Sequence, residues 1–300
     1  MTNSTQYAIE TSGLTKRYGK QLAVDNLSLN VPKGSVFAFL GRNGAGKTTT
    51  IRILLDLLDR TSGQAQVLGM DCVRDALKIK GRIGYVAEAQ KMYDWMKVDE
   101  IIWFCKGFYP TWDDALAAEL KDKLELPGSK KVGEMSRGTQ AKLALLLAMA
   151  YRPELLILDE PTAGLDVLVR REFLEGIIEI IQEEGRTVFF SSHIVHEVER
   201  VADWVGIIDN GKLIKCSTID ELKSGVRRLV LSFDDLPPSF ASLPGVLQVE
   251  KSGRQAVVTT EAFSEETLAL ARKLNPTDVA VQDMNLEDIL VALLGGAEVA

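Results

Sequence analysis

The 300-residue sequence has only three cysteines and two histidines. Cys72, Cys105 and Cys216 have no metal-like spacing, and an odd number argues against a disulfide framework and suits a reducing compartment. His193 and His196 stand at helical spacing, yet a third ligand and an appropriate helix start are missing for a zinc site. Basic charge is also short. Lys and Arg number 35 against 42 Asp and Glu, and the net charge of -7 gives no electrostatic footprint for nucleic acid. No apolar stretch approaches the roughly 18 residues that span a bilayer, and the longest strong run, residues 143–150, reads as a helix segment. Residues 1–6 are polar with no apolar signal core, so the chain is expected to stay in the cytosol. What is left, 46% hydrophobic and 26% charged, is the composition of a soluble globular protein, at a length that allows about two domains.

The most specific feature present is Gly41-Arg42-Asn43-Gly44-Ala45-Gly46-Lys47-Thr48. It fits G-x-x-x-x-G-K-[ST] and lies between an apolar run, residues 35–40, and a helical pattern, residues 49–58. Glycines there let the backbone bend round an anion with no Cβ in the way, so successive N–H groups and the positive end of the next helix face phosphate oxygens. Lys47 adds a mobile full charge for the β- and γ-phosphates. The Thr48 hydroxyl suits Mg²⁺, which keeps several waters and needs only one or two protein oxygens. Further on, the apolar run Leu155-Leu156-Ile157-Leu158 ends in Asp159-Glu160. A buried strand that stops on Asp can hold that carboxylate beside the phosphate loop, as a direct or water-mediated Mg²⁺ ligand. Glu160 is then placed to orient or deprotonate an attacking water.

Residues 7–223 resemble the ATP-binding subunit of an ABC transporter, because further motifs of that family stand in its order. Tyr18, in Lys16-Arg17-Tyr18-Gly19, matches the aromatic that stacks on adenine; Met135-Ser136-Arg137-Gly138-Thr139 matches the signature, followed by a helix over 141–150. Ala163-Gly164-Leu165-Asp166 matches the D-loop, and Ser191-Ser192-His193 ends a strand at the switch histidine. The resemblance implies an α/β fold: a P-loop NTPase of ABC ATPase type, with an antiparallel β subdomain, a helical subdomain over about 91–151 and a small C-terminal α+β domain. It also implies catalytic roles for Lys47, Glu160 and His193, and metal contacts from Thr48, Glu88 and Asp159. One ATP would lie between Tyr18, Gly41, Asn43, Gly44, Ala45, Gly46, Lys47, Thr48 and Thr49 of one chain and Ser136, Gly138 and Asp166 of another. His196 is assigned to surface or packing. The implied partners are ATP, a second ATPase subunit in a homodimer or pseudo-homodimer, and transmembrane permease subunits, at the cytoplasmic face of the cell membrane.

Two motifs depart from the family pattern. Arg137 and Thr139 replace Gly and Gln in the signature, and Glu88 stands where the Q-loop normally has Gln; Gln90 fits that register less well. A carboxylate still accepts from Mg²⁺-bound water but cannot donate as an amide does. Both departures resemble a branch of exporters whose membrane subunits are separate chains. The rival readings are a soluble ABC-type ATPase acting on DNA or ribosomes, which would carry coiled-coil insertions or fused modules, and a non-catalytic regulator, against which Glu160 and His193 stand.

Elsewhere the pattern predicts two strands over 7–34, strands at 64–69, 82–87 and 187–191, and a helix over 167–184. A hairpin around Asn210-Gly211 and a helix over 219–223 lead to a boundary at Ser224-Gly225. The ATPase domain is thus drawn at 1–223 and an accessory domain at 226–300, with strands at 229–233, 247–251 and 255–259 and helices at 264–274 and 285–294. The accessory domain has no chemical constellation and reads as serving assembly or regulation. Of the aromatics that follow Tyr93 up to residue 112, namely Trp95, Trp103, Phe104, Phe108, Tyr109 and Trp112, most are expected to build the helical subdomain's core. The rest would form a groove for a helix of the membrane partner.

Overall fold

A computed structural model describes residues 6–166, 170, 173–174 and 185–295. The predicted helix over 167–184 lies almost wholly outside them. Two compact units divide the chain at residues 216 and 217, so the helix α7 (Ile219–Gly225) groups with the second unit, ahead of the boundary expected at Ser224-Gly225.

In the first unit, β4 (Val36–Leu40), β8 (Leu155–Asp159) and β9 (Thr187–Ser192) are buried at every position, as strands covered on both faces are. They pair in parallel, with β9 between β4 and β8. β7 (Ile83–Val86) extends the sheet beyond β8, and β10 (Trp204–Asp209) and β11 (Lys212–Thr218) extend it beyond β4. Asn210 and Gly211, with φ of 47° and 81°, make the left-handed turn that joins the last two strands.

A second, antiparallel sheet runs β2-β1-β5-β6, from β1 (Tyr7–Tyr18), β2 (Gln21–Leu27), β5 (Ser62–Val67) and β6 (Met70–Asp71). Residues 7–34 hold three strands rather than the two predicted, since β3 (Asn30–Pro32) also pairs with β1. The break has a local cause: Asn26 takes a left-handed φ of 52°, and the Thr11 hydroxyl binds the Leu27 carbonyl and the Leu29 N–H at 3.0 and 2.9 Å. Both sheets share a core with α1 (Lys47–Leu54), in which Phe189 packs against Phe37 and Phe39 with ring centroids 5.7 and 5.5 Å apart.

Three longer helices, α3 (Val98–Lys106), α4 (Asp114–Lys123) and α5 (Arg137–Met149), follow in sequence a short α2 (Ala76–Lys80). α5 starts at Arg137 rather than at 141, because Ser136 caps it by accepting the Thr139 N–H at 3.2 Å. The aromatic expectation is reversed here. Trp95, Trp103 and Phe108 are 68%, 74% and 66% exposed, and Phe104 also reaches the surface; only Tyr109 and Trp112 of the six are partly buried.

The second unit carries a four-stranded antiparallel sheet in the order β13-β14-β12-β15. Its strands are β12 (Arg227–Ser232), β13 (Val246–Ser252), β14 (Gln255–Thr260) and β15 (Asp278–Gln282), with α8 (Glu265–Arg272) and α9 (Leu286–Gly295). Leu229, Leu231, Phe233, Phe240 and Val258 give it a core of its own. β15 is not among the predicted strands: it is an edge strand, exposed at four of its five positions, and so lacks a buried face to mark it.

Candidate active site

Parallel pairing sends the carboxyl ends of β4, β9 and β8 to one edge of the sheet, where open α/β sheets bind ligands. From β4 issues the phosphate loop, from β8 Asp159 and Glu160, and from β9 Ser191, Ser192 and His193. Register makes them neighbours, with Leu40 opposite Ser192 and Asp159 opposite Ser191. Gly44 and Gly46 take φ of 83° and 109°, and a Cβ on Gly46 would lie 2.4 Å from the Ala23 carbonyl oxygen. Glycine is the residue that this close approach permits. Gly41 is constrained likewise, at 2.4 Å from the Ile208 carbonyl oxygen, and Ala45 is buried behind the loop.

Lys47 begins α1 and is 5% exposed. Its Nζ donates to the carbonyls of Gly41 and Arg42 at 2.7 and 3.3 Å and lies 3.0 Å from Glu160 Oε1. The other Glu160 oxygen, Oε2, is 2.8 Å from His193 Nδ1. Thr48 Oγ1 donates to Asp159 Oδ1 at 3.1 Å, and Ser191 Oγ donates to the same oxygen at 2.7 Å while accepting the Glu160 N–H at 2.9 Å. Burial raises the Asp159 pKa from its ordinary value, and the hydrogen bonds from Ser191 and Thr48 work against that rise. Glu160 itself has a left-handed φ of 47°, uncommon for a residue with a Cβ and found where surrounding structure holds the backbone in place. Ser191 has no assigned role in the sequence motifs. Only the pairing of β8 with β9 reveals that one hydroxyl holds the Asp159 carboxylate and the Glu160 backbone N–H.

A cavity of about 470 Å³ opens in front of this cluster, lined by Tyr18, Asn43, Lys47, Thr48, Glu88 and Glu160, together with Gly44, Gly46 and Thr49. Tyr18 ends β1 with half its surface exposed, so a ring face is free for a flat base; Lys16 Nζ lies 5.1 Å from its centroid. The Gln90 side chain accepts the Ala87 N–H at 3.0 Å, whereas Glu88 lines the cavity. Ser136, Gly138 and Asp166 line no part of this cavity. Arg137 and the D-loop residues Ala163, Gly164 and Leu165 instead border a second cavity of about 490 Å³, which Glu88 also lines. His196 is exposed, and among the described residues no group of three or more His, Cys, Asp or Glu side chains forms a metal cage. The oxygen pair of Thr48 and Asp159 fits a hard cation that retains its waters.

Residues 24–163 match the ABC transporter family model. The chain is 33% identical to the bacitracin transport ATP-binding protein BcrA of Bacillus licheniformis, over 97% of this chain and 98% of that one. It belongs to the ATP-binding subunits of ABC transporters. A second relative, the ABC transporter ATP-binding protein YtrB of Bacillus subtilis (strain 168), is 29% identical over 96% of this chain and 98% of its own. A solved structure of an ATP-binding subunit of an ABC transporter superposes with a TM-score of 0.65 at 26% identity, covering 72% of this chain and 92% of that one. The chain is therefore a nucleotide-binding ATPase of a membrane-associated transporter, of a family whose members dimerise and work with transmembrane subunits. No helix among the described residues is long and apolar enough to cross a membrane.

Proposed function

We propose that two copies of this chain, or this chain and a close relative, close head to tail over two ATP molecules and so drive an exporter. The observation that carries the reading is the Lys47–Glu160–His193 contact beside Asp159, Thr48 and Ser191. Tyr18 takes the base, the loop from Gly41 to Thr49 and the start of α1 take the phosphates, and Thr48 and Asp159, with Glu88, hold Mg²⁺. That ion would neutralise charge on the phosphate oxygens. Lys47 and Glu160 satisfy each other in the structure. When Lys47 gives its ammonium to an entering γ-phosphate, Glu160 is left able to accept a proton from water and His193 able to face the phosphate. Because the signature and D-loop lie outside the phosphate cavity of their own chain, Ser136, Gly138 and Asp166 are assigned to the partner's nucleotide. Contacts made only when both halves meet the γ-phosphate convert binding into closure.

The separate membrane subunit is assigned to the groove of about 430 Å³ between β7, α3 and α5, lined by Tyr85, Tyr93, Phe104, Tyr109 and Leu147 and flanked by exposed Trp95 and Phe108, whose rings pack on Tyr93 and Phe104. Attachment there puts the chain at the cytoplasmic face of the membrane. The relative named for bacitracin transport aligns end to end, which supports an exporter. Action on DNA is disfavoured by the net charge of -7. Residues 226–300 serve assembly or regulation, since none of the assigned site residues lies there.

Glu160→Gln tests the reading. An amide holds water but cannot accept its proton, so the variant should bind ATP, lose turnover by about a hundredfold or more and accumulate as an ATP-bound dimer in size-exclusion chromatography. Turnover within about threefold of wild type would remove Glu160 as the base.

A further inference from the structure

Glu197 lies on α6 (Val195–Val201), one turn beyond His193, and is 8% exposed. Burial pushes its pKa up, against the pull of Thr162, Arg170 and Ser192. A carboxylate kept in such a place needs its lone pairs filled. Thr162 Oγ1 donates to Oε1 and Oε2 at 3.2 and 3.0 Å, Ser192 Oγ donates to Oε2 at 3.3 Å, and Arg170 Nε lies 3.2 Å from Oε1. These partners come from different functional segments. Thr162 follows Glu160 at the start of the D-loop, Ser192 precedes His193, and Arg170 holds the far end of the D-loop, donating from Nη2 to the Leu165 carbonyl at 3.0 Å. Ser192 Oγ also accepts the Ile194 N–H at 3.0 Å, closing the turn that carries His193.

We infer that Glu197 is a positioning residue that couples the D-loop to the His193 turn, so that the surface offered to the second chain and the group facing the γ-phosphate keep one geometry. The inference rests on the assignment of Asp166 and His193 given above. A D-loop pressed by a partner chain moves Thr162 and the Leu165 carbonyl. Through Glu197 that displacement reaches Ser192 and hence His193, with no intervening solvent-exposed link. Glu197 touches neither the phosphate loop nor Tyr18, so nucleotide affinity does not depend on it.

Glu197→Gln keeps the side chain's size but accepts on one oxygen only and points an NH₂ group at donors. In the purified full chain with Mg²⁺ and ATP, Glu197→Gln and Arg170→Gln should each lower kcat by about tenfold while KM stays within about twofold. Because they break one connection, the double variant should fall no further than the weaker single variant. Thermal melting separates this from unfolding: a kcat loss at an unchanged Tm is the positioning signature. If Glu197→Gln does not fold, Thr162→Val, which removes one donor to the same carboxylate, should give the same split. A kcat within about twofold of wild type, a rise in KM matching the fall in kcat, or losses that multiply in the double variant would overturn the role. Failure of the wild-type chain to bind or hydrolyse ATP would instead overturn the site assignment beneath it.

Discussion

At the scale of single residues, Ser191 ties the Asp159 carboxylate to the backbone of Glu160. Its hydroxyl donates to Asp159 and accepts the Glu160 N–H, so Ser191→Ala leaves a buried N–H without an acceptor, at a cost of about 1–3 kcal/mol. In a chain of this size that should lower Tm by about 2–4 °C for each kcal/mol. ATP hydrolysis should fall further than ATP affinity does, because Lys47, Tyr18 and the loop glycines are untouched. A variant with wild-type Tm and turnover would show that the hydroxyl positions nothing. The side chains that meet in the cluster divide cleanly by how sequence marks them. Lys47, Thr48, Asp159, Glu160 and His193 sit in local patterns, each fixed by its chain neighbours, and are legible from the amino-acid order alone. Ser191 bonds Glu160 and Asp159, 31 and 32 residues away, and Glu197 bonds Thr162, 35 residues away, besides Ser192 and Arg170; nothing in the local sequence gives either side chain these distant partners.

Among the elements, the buried parallel strands are legible as apolar runs closed by turns, because covering both faces leaves no room for alternation. Helix boundaries and faces are less so. Ser136 sets the start of α5 at Arg137, and the aromatic residues of 93–112 turn outward where a core is expected. Composition reports that a segment is aromatic, while the packing of α3 against its neighbours decides which side remains uncovered; Val98 and Ile101 occupy the buried side and Trp103 is left outside. Trp95, exposed and packed on the groove-lining Tyr93, is suited to anchor a helix of the membrane subunit. Trp95→Ala combined with Phe108→Ala should therefore leave kcat and KM of the isolated chain within about twofold of wild type, while lowering recovery of the co-expressed membrane subunit by about tenfold. Undiminished recovery would take the docking role away from this face.

On the scale of the whole molecule, the proposed reading divides each site between two chains. Lys47 and Tyr18 line one cavity, Arg137 and Gly164 another, and Ser136 lines neither. Ser136 does have work there, as the cap of α5 and an acceptor of the Thr139 hydroxyl at 2.8 Å or its donor, which by itself would explain its presence. A mixing experiment separates a cap from a shared site. Lys47→Ala loses the clamp on phosphate, and Ser136→Arg puts a long cation where a partner's anion would sit; each alone should be inactive. When dimers exchange, a mixed pair joins two damaged halves in one site but leaves an intact phosphate loop opposite an intact signature in the other. Random pairing makes about half the dimers mixed, so activity should return to at most about a quarter of wild type if sites act independently. Isotope-labelled subunits read by native mass spectrometry establish that mixed dimers formed. Confirmed mixed dimers without recovery would eliminate independently active shared sites. Full activity of Ser136→Arg alone would reduce Ser136 to the cap that the single chain already displays.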